Sequence, residues 1–263
     1  MKLLKFVFLG LMFLALNFAL LALQRRESDD RELLPTNSQE KAEWVFARYH
    51  YDSAAGFGGF GGYRRWAADY PRSDRQFVLG VRRLTRLDTR PIEQVVEANS
   101  EDIYDWPWIF VEDAGSWRIT PPQAQRLRDY LLKGGFLVLD DSHGDFEWQT
   151  LIEGVNMILP GRPIEDLPDG DEIFHVLYDL NANDRFQVPG TRFLWGGRTY
   201  SADMQVPKWR GIRDDQGRIM VAIWHNSDVG DAWEWADSPR YPERATSLAY
   251  RLGINYIIYG MTH

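Results

Sequence analysis

Short apolar runs separated by amphipathic segments dominate the chain after residue 42. Four of these runs are rich in aromatic and β-branched side chains and have few polar positions, which is typical of buried strands. They cover residues 44–51, 106–112, 136–140 and 218–224. The pattern therefore predicts a sheet that is covered on both faces.

Helical periodicity separates these strands. Apolar positions three and four residues apart predict helices over residues 74–86, 121–133, 146–159 and 243–258. The second helix is the best defined, because Thr120 can cap it, Pro121 occupies its first turn and two glycines follow it. Alternating strands and helices predict an α/β fold, a three-layer sandwich with a mainly parallel central sheet.

Residues 1–23 have the pattern of a targeting segment. Lys2 and Lys5 precede an apolar run over residues 6–23. Its length fits a long signal-peptide core and a short membrane span equally well, and a cleavage site is poorly defined. A removed signal peptide and an uncleaved N-terminal membrane anchor both stay open. Either one predicts that the folded part is extracytoplasmic, periplasmic or secreted, and contacts a membrane only through residues 1–23.

The rest of the chain divides at residue 42. Residues 24–41 are charged, contain Pro35 and lack apolar periodicity, so they predict a solvated linker. Residues 42–263 are predicted to form one α/β domain.

Composition excludes two classes of function. The 263 residues carry 30 Lys and Arg against 38 Asp and Glu, a net charge of −8, whereas a nucleic-acid binder needs a basic face. The chain has no cysteine, which excludes disulfides, thiolate metal sites and a cysteine nucleophile.

Several stretches resemble a bacterial family of domains of unknown function, number 4159. The clearest is the run over residues 127–141, which ends in GGFLVLDD. The stretches NSDVGDAWEW at residues 226–235 and LGINYIIYGMT at residues 252–262 follow in the expected order. The resemblance spans residues 44–262. It implies the class I glutamine-amidotransferase-like superfamily, with a flavodoxin-like sandwich and an extracytoplasmic setting, but neither an activity nor a catalytic residue.

The same resemblance excludes one reaction. In glutaminases of that superfamily, the strand after this helix leads to a sharp turn that carries a cysteine nucleophile. Here the strand leads to Asp140, Asp141, Ser142 and His143. A carboxylate cannot form the thioester that glutamine hydrolysis requires, so glutaminase activity is excluded.

Polar residues follow the predicted strands. Because parallel strands end at the same edge of a sheet, we expect the groups after them to gather there. Asp140, Asp141 and His143 form a candidate site for a divalent metal, since carboxylates suit hard cations and imidazole suits zinc or manganese. The alternative is that one of the two aspartates caps the following helix.

A second polar cluster follows the last predicted strand. Asp228 and Asp231 lie three residues apart and precede Trp233. They are candidate ligand-binding residues, partners of the Asp140 cluster across the edge, or acids at a helix N-terminus. Trp233 could stack on a sugar or a peptide, or pack in the core.

Two further features have competing interpretations. Arg48 is the one charge inside the first strand and needs a carboxylate partner, for which Asp69, Asp140 or Asp141 could serve. It is either an anion site or a structural ion pair. The run AAGFGGFGG at residues 54–62 contains G-x-G-x-x-G but lacks the helix and the acid of a nucleotide site. It predicts either a loop over the strand ends that could close on a ligand or a simple mobile connector.

Two hypotheses of different classes fit these residues. The first is an extracytoplasmic, non-catalytic amidotransferase-like domain that binds a small molecule or a protein partner at the carboxyl edge. The second is a metal-dependent hydrolase that acts on a small polar or glycan substrate through an Asp/His cluster. Acidic and imidazole groups converging around one cavity would favour the enzyme, and their dispersal into caps would favour the binding domain.

Overall fold

A computed structural model describes residues 40–53 and 65–263 of the chain. The predicted targeting segment, most of the predicted linker and the glycine-rich run at residues 54–62 lie outside the described residues. Across the two described ranges, no helix is both long enough and apolar enough to cross a membrane.

A seven-stranded sheet forms the centre of the described part. In chain order the strands are β1 (Ala47–His50), β2 (Asp52–Ser53), β3 (Gln94–Glu97), β4 (Trp108–Val111), β5 (Trp117–Arg118), β6 (Phe136–Ser142), β7 (Glu165–Asp166), β8 (Lys208–Arg213) and β9 (Ile219–His225). The sheet has the order β3-β1-β4-β6-β9-β8-β7, and β2 pairs separately with β5. The first five strands of this order are parallel, whereas β8 and β7 continue the sheet antiparallel.

Helices cover both faces of the sheet. They are α1 (Arg72–Leu84), α2 (Pro121–Leu132), α3 (Gly144–Ile158), α4 (Thr191–Leu194), α5 (Val229–Glu234) and α6 (Glu243–Thr262). Alternate residues of β4 pack into different layers: Trp108 and Phe110 contribute to the core under α1, α5 and α6, and Ile109 and Val111 to the core under α2 and α3. The predicted three-layer α/β sandwich with a mainly parallel sheet is therefore confirmed.

The strand order places the reversal point of the sheet beside β1. Numbered among themselves, the five parallel strands have the order 2-1-3-4-5, which is that of flavodoxin-like folds. Consecutive connections leave β1 and β4 in opposite directions, and such folds bind ligands in the crevice that opens there. Strand β6 pairs in parallel with both β4 and β9 and is buried throughout, as predicted for the run over residues 136–140.

Several element boundaries differ from the sequence prediction. Strands β3 and β8 were not predicted, because their polar and apolar residues do not form an apolar run. The first strand begins at Ala47, since Trp44 makes only an isolated bridge to Thr89. Helix α1 begins at Arg72, and its first turn packs against β1 through the side chain of Arg48.

Arg48 is fully buried between β1 and α1. Its Nε donates to Asp74 Oδ2 at 2.8 Å, and its Nη2 to Asp74 Oδ1 at 2.5 Å. Its Nη1 donates to the carbonyl oxygens of Trp66 and Ala68 at 3.0 and 3.2 Å, and its Nη2 also to Ser73 Oγ at 2.9 Å. All five N–H groups of the guanidinium are therefore used, as burial of this cation requires.

The partner of Arg48 is not one of the three acids that the sequence suggested. Asp69, Asp140 and Asp141 were wrong as candidates, because the Arg48 side chain points from β1 toward the first turn of α1, which carries Asp74. The structural ion pair is thus the interpretation of Arg48 that the geometry supports.

We expect Asp74→Ala to lower the free energy of unfolding by about 3–5 kcal/mol, because it leaves the Arg48 guanidinium buried without its main counter-charge. The matched control is Asp237→Ala, which breaks the half-exposed ion pair with Arg72 and should cost less than about 1 kcal/mol. Urea denaturation followed by circular dichroism measures both. Equal losses in the two variants would contradict a structural role for the buried pair.

Candidate functional site at the carboxyl edge

The carboxyl ends of the parallel strands carry unusual backbone geometry. Among the described residues, the non-glycine positions with positive φ are Asp69, Asp113, Asp141 and Asn226, at 62°, 49°, 48° and 62°. Asp and Asn tolerate this left-handed region better than other side chains. The last three lie at the ends of β4, β6 and β9, so the strand ends turn sharply where the site is expected. Such strain is often found at functional positions.

A cleft of about 250 Å³ opens at this edge. Its charged lining consists of the aspartates Asp69, Asp113, Asp141, Asp228 and Asp231 and the arginines Arg65, Arg192 and Arg198. A neighbouring cavity of about 290 Å³ shares Arg192 and Arg198 with the cleft and adds His143. Together the two spaces approach the usual size of a small-molecule site, about 300–1,000 Å³.

Arg192 of α4 holds the end of β6. Its guanidinium bonds to the carboxylate of Asp141, and Arg192 Nη2 lies 2.9 Å from His143 Nδ1. The His143 ring is buried near Phe193 and Tyr200, and its Nε2 has no hydrogen-bond partner in the part of the chain that the structure describes. Burial opposes ionisation of Asp141, but Arg192 and His143 outweigh it and lower the pKa of Asp141.

Asp140 points away from this group. Its carboxylate accepts hydrogen bonds from Val229 N at 2.9 Å and Gly230 N at 2.8 Å, the first amides of α5. Burial and the charge of Asp141 raise the pKa of Asp140 to about 8, although these amides oppose the shift. Asp140 therefore caps a helix, but this helix is α5 and not the following helix α3 that the sequence suggested.

Asp113 forms the opposite wall of the cleft. Its Oδ2 accepts a hydrogen bond from Arg65 Nη1 at 2.8 Å, while its buried Oδ1 lacks a hydrogen-bond partner across the described ranges. Burial and the nearby charge of Asp141 raise the pKa of Asp113 to about 8, although Arg65 opposes this.

Three carboxylates converge at the cleft: Asp69 and Asp228 line it, and the fully buried Glu112 adjoins them. One oxygen each from Asp69, Glu112 and Asp228 lie within 4.8 Å of one another. We call these three residues the acidic triad. Burial raises the pKa of each well above its usual range, and repulsion adds to this: Glu112 faces Asp69 and Asp140, and Asp228 faces Asp141 and Asp231.

Asp228 and Asp231 also build the start of α5. Asp228 Oδ1 accepts a hydrogen bond from Asp231 N at 2.9 Å, so Asp228 is the helix N-cap. Asp231 accepts from Thr191 N at 2.5 Å and from Thr191 Oγ1 at 2.9 Å, and so ties α4 to α5. The helix-terminus interpretation and the cleft position both apply to Asp228 and Asp231.

The structure brings two of the three predicted metal ligands together but not the third. The structure brings Asp141 and His143 together, with Nδ1 and Oδ1 3.1 Å apart, but directs Asp140 to α5. Within the described ranges, the groups whose oxygens or nitrogens lie close enough to hold one cation are the acidic triad and a second group that consists of Asp69, Asp231 and Glu234.

A family model for a domain of unknown function, DUF4159, matches residues 45–261. The chain belongs to this family. A comparison with curated proteins finds no match. The matched stretch contains the whole carboxyl edge of this DUF4159 domain, including the acidic triad and the arginines of the cleft.

Trp233 lies in the core of the DUF4159 domain. It is fully buried and stacks on Phe77 with ring centroids 4.0 Å apart. Its neighbours include Phe46 and Phe110, on the layer that α1, α5 and α6 cover. This placement corresponds to the packing interpretation of the residue.

Of the acidic triad, only Asp228 is predicted from the sequence as a site residue. Asp69 is considered above only as a partner for Arg48, and Glu112, Arg192, Arg65 and Glu234 are not among the predicted site residues. The one available signal was Glu112, a carboxylate directly after an apolar strand. Asp69 and Arg192 reach the site from loops and a short helix, which a periodic pattern does not reveal.

His225 ends β9 next to the site. Its ring stacks on Trp148 with centroids 4.6 Å apart, and its Nδ1 lies 3.2 Å from Arg210 Nη1. Burial and the positive charge of Arg210 lower the pKa of His225 to about 4. The folded domain therefore keeps His225 neutral at a pH where an unfolded histidine is already protonated.

We expect His225 to destabilise the fold as the pH falls. The unfolded histidine binds its proton near pH 6.5, whereas the folded one does so only near pH 4. The free energy of unfolding is therefore highest above pH 6.5, and it falls by up to about 3 kcal/mol as the pH drops from 6.5 to 4. His225→Gln should flatten the pH dependence of the unfolding free energy in this window. The exposed His263→Gln serves as the control, and a slope that is the same in His225→Gln and the parent would contradict the assignment.

Proposed function

We propose that this DUF4159 domain is a binding module that takes a small polar ligand at the carboxyl edge of its sheet. The observation that carries the proposal is the cleft beside the reversal point of the strand order, around which buried polar atoms lack partners among the described residues. These atoms are Asp113 Oδ1 in the cleft lining, His143 Nε2 in the neighbouring cavity and Glu112 Oε2 in the acidic triad. Unpaired buried polar atoms are rare in folded proteins, and a bound molecule is one way to satisfy them.

The charges of the cleft indicate the chemistry of this ligand. Arg198 is exposed where the two cavities meet, and its guanidinium makes no hydrogen bond or ion pair with the described residues. Arg65 and Arg192 are already paired with Asp113 and Asp141. The ligand would therefore present an anionic group to Arg198 and hydrogen-bond donors or a positive charge to the acidic triad.

The roles of the acids favour binding over hydrolysis. Asp140 is held by the amides of α5, Asp141 by Arg192, and Asp228 by the amide of Asp231. A hydrolase acting through these groups would need each of them within hydrogen-bond reach of a reacting group of the substrate or of the attacking water. The descent from an amidotransferase-like ancestor is part of the same proposal. Its support is the 2-1-3-4-5 strand order and the position of β6, whose carboxyl end bears acids in place of a nucleophile.

We also propose that the domain works outside the cytoplasm, behind a signal peptide or a membrane anchor in residues 1–23. The support is the basic start and apolar run of that segment. Alkaline phosphatase fused after residue 263 should be active in bacterial cells, because the enzyme requires export. An inactive but well-expressed fusion would contradict the extracytoplasmic location.

We expect a ligand screen by thermal unfolding of the full chain to detect binding in the cleft as a rise in Tm. The probes are inorganic phosphate, sugar phosphates, dicarboxylates, amino acids and short oligosaccharides. A probe at 100 times its Kd stabilises the folded state by about 2.7 kcal/mol, which is about 5–10 °C in Tm for a domain of this size. Arg198→Ala should reduce the Tm shift caused by an anionic probe at least severalfold. It removes the arginine where the two cavities meet, whose guanidinium has no hydrogen-bond or ion-pair partner among the described residues.

The matched control for this screen is Arg86→Ala, which removes an exposed arginine two residues after the end of α1 and outside the cleft lining. It should leave the shift unchanged. No shift with any probe, or an equal shift in the parent and Arg198→Ala, would contradict the proposed ligand chemistry.

A further inference from the structure

We propose that the acidic triad is a site for a hard divalent cation, with the carboxylates of Asp69, Glu112 and Asp228 as its ligands. This inference rests on the proposed function, because the cation would bind at the acidic end of the ligand site and supply the positive charge that this end attracts. Its support is the spacing of the oxygens, an unpartnered buried atom, the close approach of two glycines and the balance of charge.

The spacing of the oxygens suits a cation of the size of Ca²⁺ or Mn²⁺. The three oxygens lie within 4.8 Å of one another. Two oxygens on opposite sides of a Ca²⁺ ion are about 4.6–5.2 Å apart, since each bond is about 2.3–2.6 Å long. The three residues could therefore bind one ion with small side-chain adjustments.

Glu112 provides an observation that is independent of the clustering. Its side chain has no exposed surface, and its Oε2 has no hydrogen-bond partner within the residues that the structure describes. The nearest cationic group, Arg48 Nη1, lies 3.7 Å away and already donates to two carbonyl oxygens. A fully buried carboxylate oxygen without a donor is costly unless something binds it.

Two glycines let the backbone approach the triad oxygens closely. A Cβ atom on Gly230 would lie 2.5 Å from Glu112 Oε2 and 2.9 Å from Asp69 Oδ2. A Cβ atom on Gly190 would lie 2.6 Å from Asp228 Oδ2. Any larger residue at either position would displace the carboxylates, so the arrangement of the three oxygens depends on glycine at both positions.

The negative charges of the triad are not balanced by the nearby arginines. The arginines nearest to it are paired elsewhere: Arg48 with Asp74, Arg65 with Asp113, and Arg192 with Asp141. Among the described residues, the cation beside the three carboxylates is therefore the Arg48 guanidinium, 3.7 Å from Glu112 Oε2. A divalent ion would neutralise most of this charge, and carboxylates are the ligands that hard cations prefer.

The second acidic group is a weaker candidate. It shares Asp69 with the triad, but both oxygens of its Asp231 already accept hydrogen bonds from Thr191. Among the described residues, the triad is therefore the group with an unpartnered, fully buried oxygen, Glu112 Oε2.

The test is isothermal titration of the full chain with CaCl₂, together with Mn²⁺ binding followed by electron paramagnetic resonance. We expect one strong site. Asp69→Asn and Asp228→Asn should each weaken binding at least tenfold, because each removes one ligand charge. Both are chosen to preserve the fold: asparagine tolerates the left-handed backbone of residue 69 and caps a helix as well as aspartate does.

Two more variants make the outcome specific. Gly230→Ala should also weaken binding at least tenfold, because its Cβ would fill the space beside Glu112 Oε2. Asp145→Asn, at an exposed acid in the first turn of α3, should bind like the parent. Circular dichroism of each variant confirms that it is folded.

The outcomes separate this inference from the proposed function. No binding of Ca²⁺ or Mn²⁺, or equal affinity in the parent and the two asparagine variants, would overturn the cation site. If the ligand screen still gives a shift that depends on Arg198, the binding module stands without the cation. Loss of binding only in Asp141→Asn or His143→Gln would also overturn the assignment and place the ion at the residues predicted from the sequence.

Discussion

The hydrogen bonds of Arg48 are the constraint on which the carboxyl edge depends. A guanidinium that is fully buried must use all of its donors, and here they reach α1 and the two carbonyl groups of the preceding segment. Because these bonds fix Trp66 and Ala68 against β1, the next residue, Asp69, is brought to the end of β4, where it meets Glu112. A buried ion pair is weak support for stability in itself but strong support for a unique arrangement of the elements that it joins.

The arrangement concentrates negative charge at the reversal point of the sheet. The ends of β4, β6 and β9 contribute acids, and Arg65 and Arg192 compensate the outer ones, Asp113 and Asp141. The inner carboxylates remain buried and near one another, which folding alone does not favour. A charge distribution of this kind is more easily understood as a binding site than as a structural core. Under the proposed function, the acids at the end of β6 belong to this binding site.

The parts of the fold that were predictable are those with local causes. Helix α2 follows from Pro121 in its first turn and from Gln123, whose Oε1 accepts a hydrogen bond from Thr120 N, and β6 follows from an apolar run. Strands β3 and β8 lie toward the edges and mix polar with apolar residues, so no run indicates them.

The site was less predictable than the fold, because its residues are distant in sequence. Asp140 and Asp141 were recognised, but the direction of each side chain depends on α5 and Arg192, which lie about 50 to 90 residues away along the chain. The most direct test of the cation site is diffraction from crystals of the protein grown with MnCl₂, with data collected at the manganese absorption edge. We expect one anomalous peak within bonding distance of Asp69, Glu112 and Asp228. A peak at Asp141 and His143 instead, or none at the carboxyl edge, would contradict it.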